Sequence, residues 1–154
     1  KIPRVGPIYS VNAANADSWH PSVQRYFREF PRIPEGTGGG SGVHTVKPSA
    51  RYMGALVADA HNIICNGGIF GYPGSVAKPS GKIRPLYEAN PMALVFEQAG
   101  GMASNGFGRI LDLAFDDIHV RTPLFLGSVD NVESLQRYRA LYVDQQQALN
   151  NALL

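Results

Sequence analysis

The stretch from Met53 to Pro73 constrains the fold most, because a helix-period pattern stops at a glycine pair and an apolar strand-like run begins at once. Met53, Leu56, Val57, Ala60, Ile63 and Ile64 recur at spacings of three and four, which reads as one buried face of a helix opened by Pro48-Ser49 and closed by Asn66-Gly67-Gly68. Gly68 to Pro73 then reads as a short apolar strand.

The same alternation recurs along the chain. Ile8-Tyr9-Ser10-Val11-Asn12 has period two and runs into a cluster of small residues and Asn, which puts Asn12 at a strand end. Pro21 to Phe30 carries Val23, Phe27 and Phe30 on one helical face. Ser75 to Gly81 is a turn and Lys82-Ile83-Arg84 a brief strand, and a helix is expected from Tyr87 to Ala99, with Pro91 in its first turn and Gly100-Gly101 behind it. Ile110 to Leu113 and Leu124 to Leu126 read as strands, and Val129 to Leu154 as a long helix with a stripe of Val132, Leu135, Tyr138, Leu141 and Tyr142. Interleaved strands and helices predict an α/β fold, a layered α-β-α domain with a mixed sheet covered by helices. With 154 residues, 44% of them hydrophobic, residues 1–154 make one domain with one proper core.

Pro31 to Lys47 is rich in Pro, Gly, Ser and Thr, has no periodicity, and reads as a long flexible surface loop. It is not a phosphate cradle of the P-loop kind, which needs Gly-Lys-Ser/Thr opening a helix, whereas Gly42 is followed by Val43 and His44. Lys and Arg total 14 against 12 Asp and Glu, so there is no basic stripe for nucleic acid. No apolar run approaches the ~20 residues of a membrane span. The single cysteine, Cys65, reads as inert core in a reducing compartment. Lys1-Ile2-Pro3-Arg4 has no apolar run behind its charges, and so looks like the middle of a longer chain rather than a signal peptide.

Two groups of residues carry chemistry. Lys82 and Glu88, with Tyr87 and Asn90 beside them, span a strand-to-helix junction of the kind where open α/β sheets collect anionic ligands. Glu88 could ligate a hard divalent cation and Lys82 could offer a point charge to a phosphate; equally, Glu88 could only complement the helix dipole. Asn12, Arg51, Tyr52 and Tyr72 supply the amide, guanidinium and phenol donors that grip phosphate, although Tyr52 and Tyr72 also read as half-buried core aromatics. Placed on a helix, Arg51 and Tyr52 would point about 100° apart and serve different pockets. His20, His44, His61 and His119 lack zinc-ligand spacing, Asp59 and His61 read as satisfied structural groups, and Asp116-Asp117 read as a cap.

Read in order, these segments resemble the C-terminal half of the fructose-1,6-bisphosphatase family. The resemblance rests on Tyr9-Ser10-Val11-Asn12, Ala50-Arg51-Tyr52-Met53-Gly54 on to Ala58-Asp59, Gly67-Gly68-Ile69-Phe70-Gly71-Tyr72-Pro73, Gly81-Lys82-Ile83-Arg84, Leu86-Tyr87-Glu88-Ala89-Asn90-Pro91-Met92-Ala93, Glu97-Gln98-Ala99-Gly100-Gly101, and Ile118-His119 before Arg121. It implies that Glu88 is a metal ligand, that Lys82 contacts the sugar phosphate, and that Asn12, Tyr52 and Tyr72 hold the 6-phosphate. It also implies that Arg51 reaches the adjacent subunit's site, and that Gly54 and Leu56 lie against the fructose, Leu56 standing where the family usually has Met.

The implied activity is Mg²⁺-dependent hydrolysis of the 1-phosphate of fructose 1,6-bisphosphate to fructose 6-phosphate, a step of gluconeogenesis, with Mn²⁺ able to substitute. A cytoplasmic homotetramer is implied with it; an organelle address through a C-terminal tripeptide is the other option. Ala13 and Ala55 depart from the family's Glu and Ser, and the 31–47 loop is roughly ten residues longer than expected, a tolerated kind of insertion. The family's Asp-Pro-x-Asp-Gly metal motif does not occur in these residues, so the N-terminal metal-binding half is expected to be missing and the segment alone inactive. A non-catalytic sugar-phosphate-binding or assembly module, and a sedoheptulose bisphosphatase, remain as alternative readings.

Overall fold

A computed structural model describes residues 1–30, 33–34 and 45–152. Its strands in chain order are β1 (Ile8–Ser10), β2 (Ile33–Pro34), β3 (Thr45–Val46), β4 (Ser49–Ala50), β5 (Gly68–Tyr72), β6 (Met102–Ser104) and β7 (Leu124–Gly127). The helices are α1 (Pro21–Arg28), α2 (Leu56–Asn66), α3 (Asn90–Gln98) and α4 (Val129–Ala152). Five strands form one sheet in the order β4-β1-β5-β7-β6, parallel across β4-β1-β5 and antiparallel across β5-β7-β6. The expected mixed sheet is there.

Strand alternation distributes the apolar side chains between two helical layers. Phe70, Leu124 and Leu126 pack with Ala60 and Ile63 of α2 and with Ala93 and Phe96 of α3. Ile69 and Phe125, one residue out of phase, pack with Val23 and Tyr26 of α1 and with Val132 and Leu135 of α4. The result is the α-β-α layering anticipated from the sequence. Among the described residues, no helix is long and apolar enough to cross a membrane.

Several expectations are corrected. The helix begins at Leu56, not near Pro48-Ser49, because Ser49 and Ala50 complete the open side of β1, where Ser49 N–H donates to Pro7 O (2.9 Å) and Arg51 N–H to Tyr9 O (3.0 Å). Sheet pairing outweighs the local capping signal. Met53 precedes the helix, and Met53 and Val57 are exposed rather than part of its buried face. Cys65, expected in the core, is exposed. Lys82-Ile83-Arg84 makes only an isolated pairing of Ile83 with Thr122, and Ile110 to Asp112 is a 3₁₀ turn, not a strand. β6, a 3₁₀ turn over Ala13–Ser18, and strands β2 and β3 are not anticipated from the sequence. Within the 31–47 segment, β2 pairs with β3, and residues 31–32 and 35–44 lie outside the described residues.

Candidate functional site

Three of the expected phosphate-gripping residues converge at the C-terminal ends of β1 and β5. Asn12 follows β1, Tyr72 ends β5, and Tyr52 comes from the irregular 51–55 segment behind β4; together they line one small cavity with Asn15 and Trp19. Tyr72 lies near enough to Tyr52 to bear on its phenol. Burial, and then the neighbouring Tyr72 and Asp59, push the Tyr52 phenol up from its ordinary value, so it stays a neutral donor.

The 51–55 segment is held by a carboxylate. Asp59, fully buried in α2, accepts from Met53 N–H (2.9 Å), from Ala55 N–H (3.1 Å) and from the Ser10 hydroxyl at the end of β1. It satisfies donors at the helix start that have no intrahelical partner, and so fixes the strand end that leads to Asn12 and the segment that carries Tyr52. Asp59 is structural, as the sequence suggested.

Tyr72 also lines an adjoining cleft of about 230 Å³ with Asn15, Ser18, Lys78 and Lys82. Lys82 is exposed just beyond Gly81, whose φ of +70° turns the chain toward β7. Two phenols and an amide at one end, and two lysines at the other, make this joined cavity and cleft suited to an anionic, multiply hydroxylated ligand.

Asn15 and Lys78 escaped the sequence reading. The signal for Asn15 was available in principle: in a 3₁₀ turn residues three apart eclipse, so Asn12 and Asn15 share a face once the turn is known. Lys78 is brought in by the pairing of Trp19 with Ser75 and by Val76 N–H donating to Ser18 O (2.8 Å), which no local pattern reveals.

Arg51 lines neither cavity. It faces a wide groove of about 690 Å³ on the other side of the segment, with Met53, His61, Cys65 and Asn66, and its Nη1 donates to Ala50 O (2.9 Å). Tyr52 lines that groove together with Arg51 as well as the small cavity, so the two residues share one pocket and only Tyr52 reaches the other; they lie outside any helix, so the separation expected of helical neighbours does not apply. Gly54, at φ +78°, and Leu56, half-buried at the start of α2, lie in the same segment and line neither cavity.

Glu88 sits in a wide turn of π type, Pro85–Ala89, in which Ala89 N–H reaches back to Arg84 O (3.0 Å) before α3 begins with Pro91 in its first turn. Such turns often occur at functional sites. Glu88 Oε2 accepts from Arg84 N–H (2.7 Å) and lies 3.4 Å from the Arg84 guanidinium, leaving Oε1 without a hydrogen bond among the described residues. Asn90 Oδ1, two residues on, is buried and also without a partner. Among the described residues no three acidic, His or Cys side chains group closely enough to hold a metal ion. Glu88 can therefore be one ligand of a hard cation, not a complete set.

A family model described as the fructose-1-6-bisphosphatase C-terminal domain matches residues 2–140. The chain belongs to the fructose-1,6-bisphosphatase family. The chain is 43% identical over 147 residues to the cytosolic fructose-1,6-bisphosphatase of Solanum tuberosum, covering 96% of this chain and 40% of that protein. It is also 43% identical over 141 residues to a chloroplastic enzyme of that name from Arabidopsis thaliana, covering 91% of this chain and 32% of that protein. The crystal structure of Leishmania major fructose-1,6-bisphosphatase in holo form superposes with a TM-score of 0.78 at 39% identity, covering 90% of this chain and 40% of that one. The chain thus spans well under half the length of these fructose-1,6-bisphosphatases.

Proposed function

We propose that this chain is the C-terminal sugar-phosphate-binding domain, over residues 1–154, of an enzyme that hydrolyses the 1-phosphate of fructose 1,6-bisphosphate to fructose 6-phosphate and phosphate. The observation that carries this reading is the convergence of Asn12, Tyr52 and Tyr72 on one cavity that opens through Tyr72 onto Lys82. The phenols and the amide donate to the 6-phosphate and Lys82 adds a point charge; Gly54 and Leu56, which line neither cavity, are placed beside the sugar by the family resemblance alone. Arg51, aimed out of this cavity, serves the site of a neighbouring subunit in a homotetramer.

Glu88, whose Oε1 has no hydrogen bond among the described residues, would be one ligand of Mg²⁺, and the remaining carboxylates of the metal site would come from residues outside this sequence. The chemistry that Mg²⁺ would supply there, when bound, is Lewis-acid polarisation of the phosphoryl group. This chain holds the far phosphate and the sugar so that the 1-phosphate is presented in one orientation. The cytoplasm is the compartment of choice, in line with the potato relative's printed name.

The test is Glu88→Gln in the full-length enzyme. Loss of activity with a raised Mg²⁺ requirement is expected, and an unchanged rate and Mg²⁺ dependence would reject the ligand role. Faster turnover of sedoheptulose 1,7-bisphosphate than of fructose 1,6-bisphosphate would reject the substrate.

A further inference from the structure

Behind the candidate substrate cleft, on the other side of the 73–79 turn, lies a separate cavity of about 170 Å³ bounded by the start of α1, that turn, and α4. Its polar lining consists of His20, Ser75, Asn105 and Arg139, with no carboxylate among them. Each of the first three already accepts at least one hydrogen bond and still has a donor to offer. Asn105 Oδ1 accepts from Phe107 N–H and Gly108 N–H (both 2.9 Å), which leaves its amide nitrogen to donate. Ser75 Oγ accepts from Lys78 N–H (2.9 Å), which leaves the hydroxyl proton. His20 Nδ1 accepts from Ser22 N–H (3.3 Å) and meets the Ser22 hydroxyl at 2.7 Å, which puts the ring proton of the neutral tautomer on Nε2.

Arg139 completes the set. Its Nε is buried without a hydrogen-bond partner, and among the described residues it joins no ion pair. Burial pushes its guanidinium below the ordinary arginine range, the mark of a cation held at a cost. The Phe107 ring lies 4.0 Å from the guanidinium carbon, and Gly106 makes room for the stem, since a Cβ there would meet Arg139 Cδ at 2.9 Å. A ring face attracts the charge but leaves the in-plane N–H donors unpaired. A half-buried cation beside three side chains that each still have a donor to offer lacks one thing, an anion.

We propose that this cavity binds a small oxyanion, phosphate or a short carboxylate, through Arg139, His20, Ser75 and Asn105, independently of the Lys82 cleft. At 170 Å³ it lies below the roughly 300 Å³ at which pockets for drug-sized ligands begin, so the occupant is no larger than a few heavy atoms beyond the anionic group. Pro73 and Ser75 border both this cavity and the Lys82 cleft, so an occupant would brace the turn that carries Lys78.

The experiment is equilibrium dialysis of the full-length protein against radiolabelled inorganic phosphate, and separately acetate, in metal-free buffer. It is run on a Lys82→Ala background that removes one of the neighbouring cleft's two lysines and leaves Lys78. One saturable anion per chain is expected to remain, and adding Arg139→Met, which keeps the aliphatic stem, should weaken it about tenfold or more. Asn105→Asp is the second variant, needed in case Arg139→Met misfolds. It preserves the oxygen that accepts from Phe107 and Gly108, replaces the donor with negative charge, and should abolish binding while thermal unfolding stays close to wild type. Retention of phosphate alone assigns a phosphate-type occupant, and retention of acetate alone a carboxylate. The proposal is overturned if the Lys82→Ala protein holds neither anion, or if Asn105→Asp binds as tightly as its parent.

Discussion

Asp59 accepts a hydrogen bond from the Ser10 hydroxyl, and together with the bond from Met53 N–H this ties the end of β1 to the segment that carries Tyr52. Both residues are fully buried, and the same carboxylate holds two backbone N–H groups at the start of α2. Asp59→Ala would leave the buried Ser10 hydroxyl and two backbone N–H groups without their acceptor, and is expected to cost roughly 3 kcal/mol of stability. Denaturant unfolding of the full-length protein measures this. Asp59→Asn, which can still accept some of these bonds, should cost less than half as much; equal losses would show that packing rather than hydrogen bonding fixes the segment.

How much of this was legible in the sequence depends on whether the cause was local. Asn66-Gly67 ended α2 as read and Pro91 sat in the first turn of α3 as read, because a helix stop and a proline act within one turn. Ser49-Ala50 was misread because its partner, β1, lies some forty residues away. The candidate site divided the same way. Asn12, Tyr52, Tyr72 and Lys82 were named in advance, whereas Asn15 needed the 3₁₀ turn and Lys78 needed the Trp19–Ser75 pairing, both consequences of folding. The resemblance supplies the roles; the residue pattern alone leaves Glu88 open to being only a partner of the helix dipole.

Gly68 stands where β5 leaves α2 and runs beside β1. Its φ is +118°, and a Cβ there would meet the Ile8 carbonyl oxygen at 1.9 Å. Backbone strain alone costs about 1–3 kcal/mol in such a conformation, and the clash is with a strand that cannot move without breaking the sheet. Gly68→Ala should therefore destabilise the protein by at least about 3 kcal/mol, more than any substitution at the exposed Val57 of α2. Soluble expression and thermal unfolding of the two variants, compared side by side, check the ranking.

His20 gives the fold a pH dependence. Burial, and then the positive charge of Arg139, lower its folded-state value below the ordinary 6.5; Tyr142 packs edge-on against the ring at 4.7 Å and Ser22 holds Nδ1. A histidine held neutral stabilises the protein fully above the unfolded value, and loses that contribution as pH falls through the folded one. Urea midpoints should thus decline on going from about pH 7 to about pH 5, and His20→Gln should flatten that part of the decline. An identical slope in the variant would assign the acid sensitivity to other groups.

Tyr72 belongs to both the small cavity with Asn12 and the larger cleft with Lys82, so its phenol is the joint between the two halves of the proposed 6-phosphate site. The 6-phosphate does not change charge when the 1-phosphate is cleaved, so a donor to it binds ground state and transition state alike. Removing that donor should appear in KM and not in kcat. Tyr72→Phe deletes only the hydroxyl, and a hydrogen bond to a charged group is worth about 1.5–3 kcal/mol, which predicts a KM for fructose 1,6-bisphosphate raised by about tenfold or more. The Tyr52 phenol lies near enough to be affected by Tyr72, so adding Tyr52→Phe should raise KM by less than the product of the two single effects. Steady-state kinetics of the three variants in the full-length enzyme decide it. A fall in kcat with KM unchanged would mean that Tyr72 acts at the reacting phosphate instead.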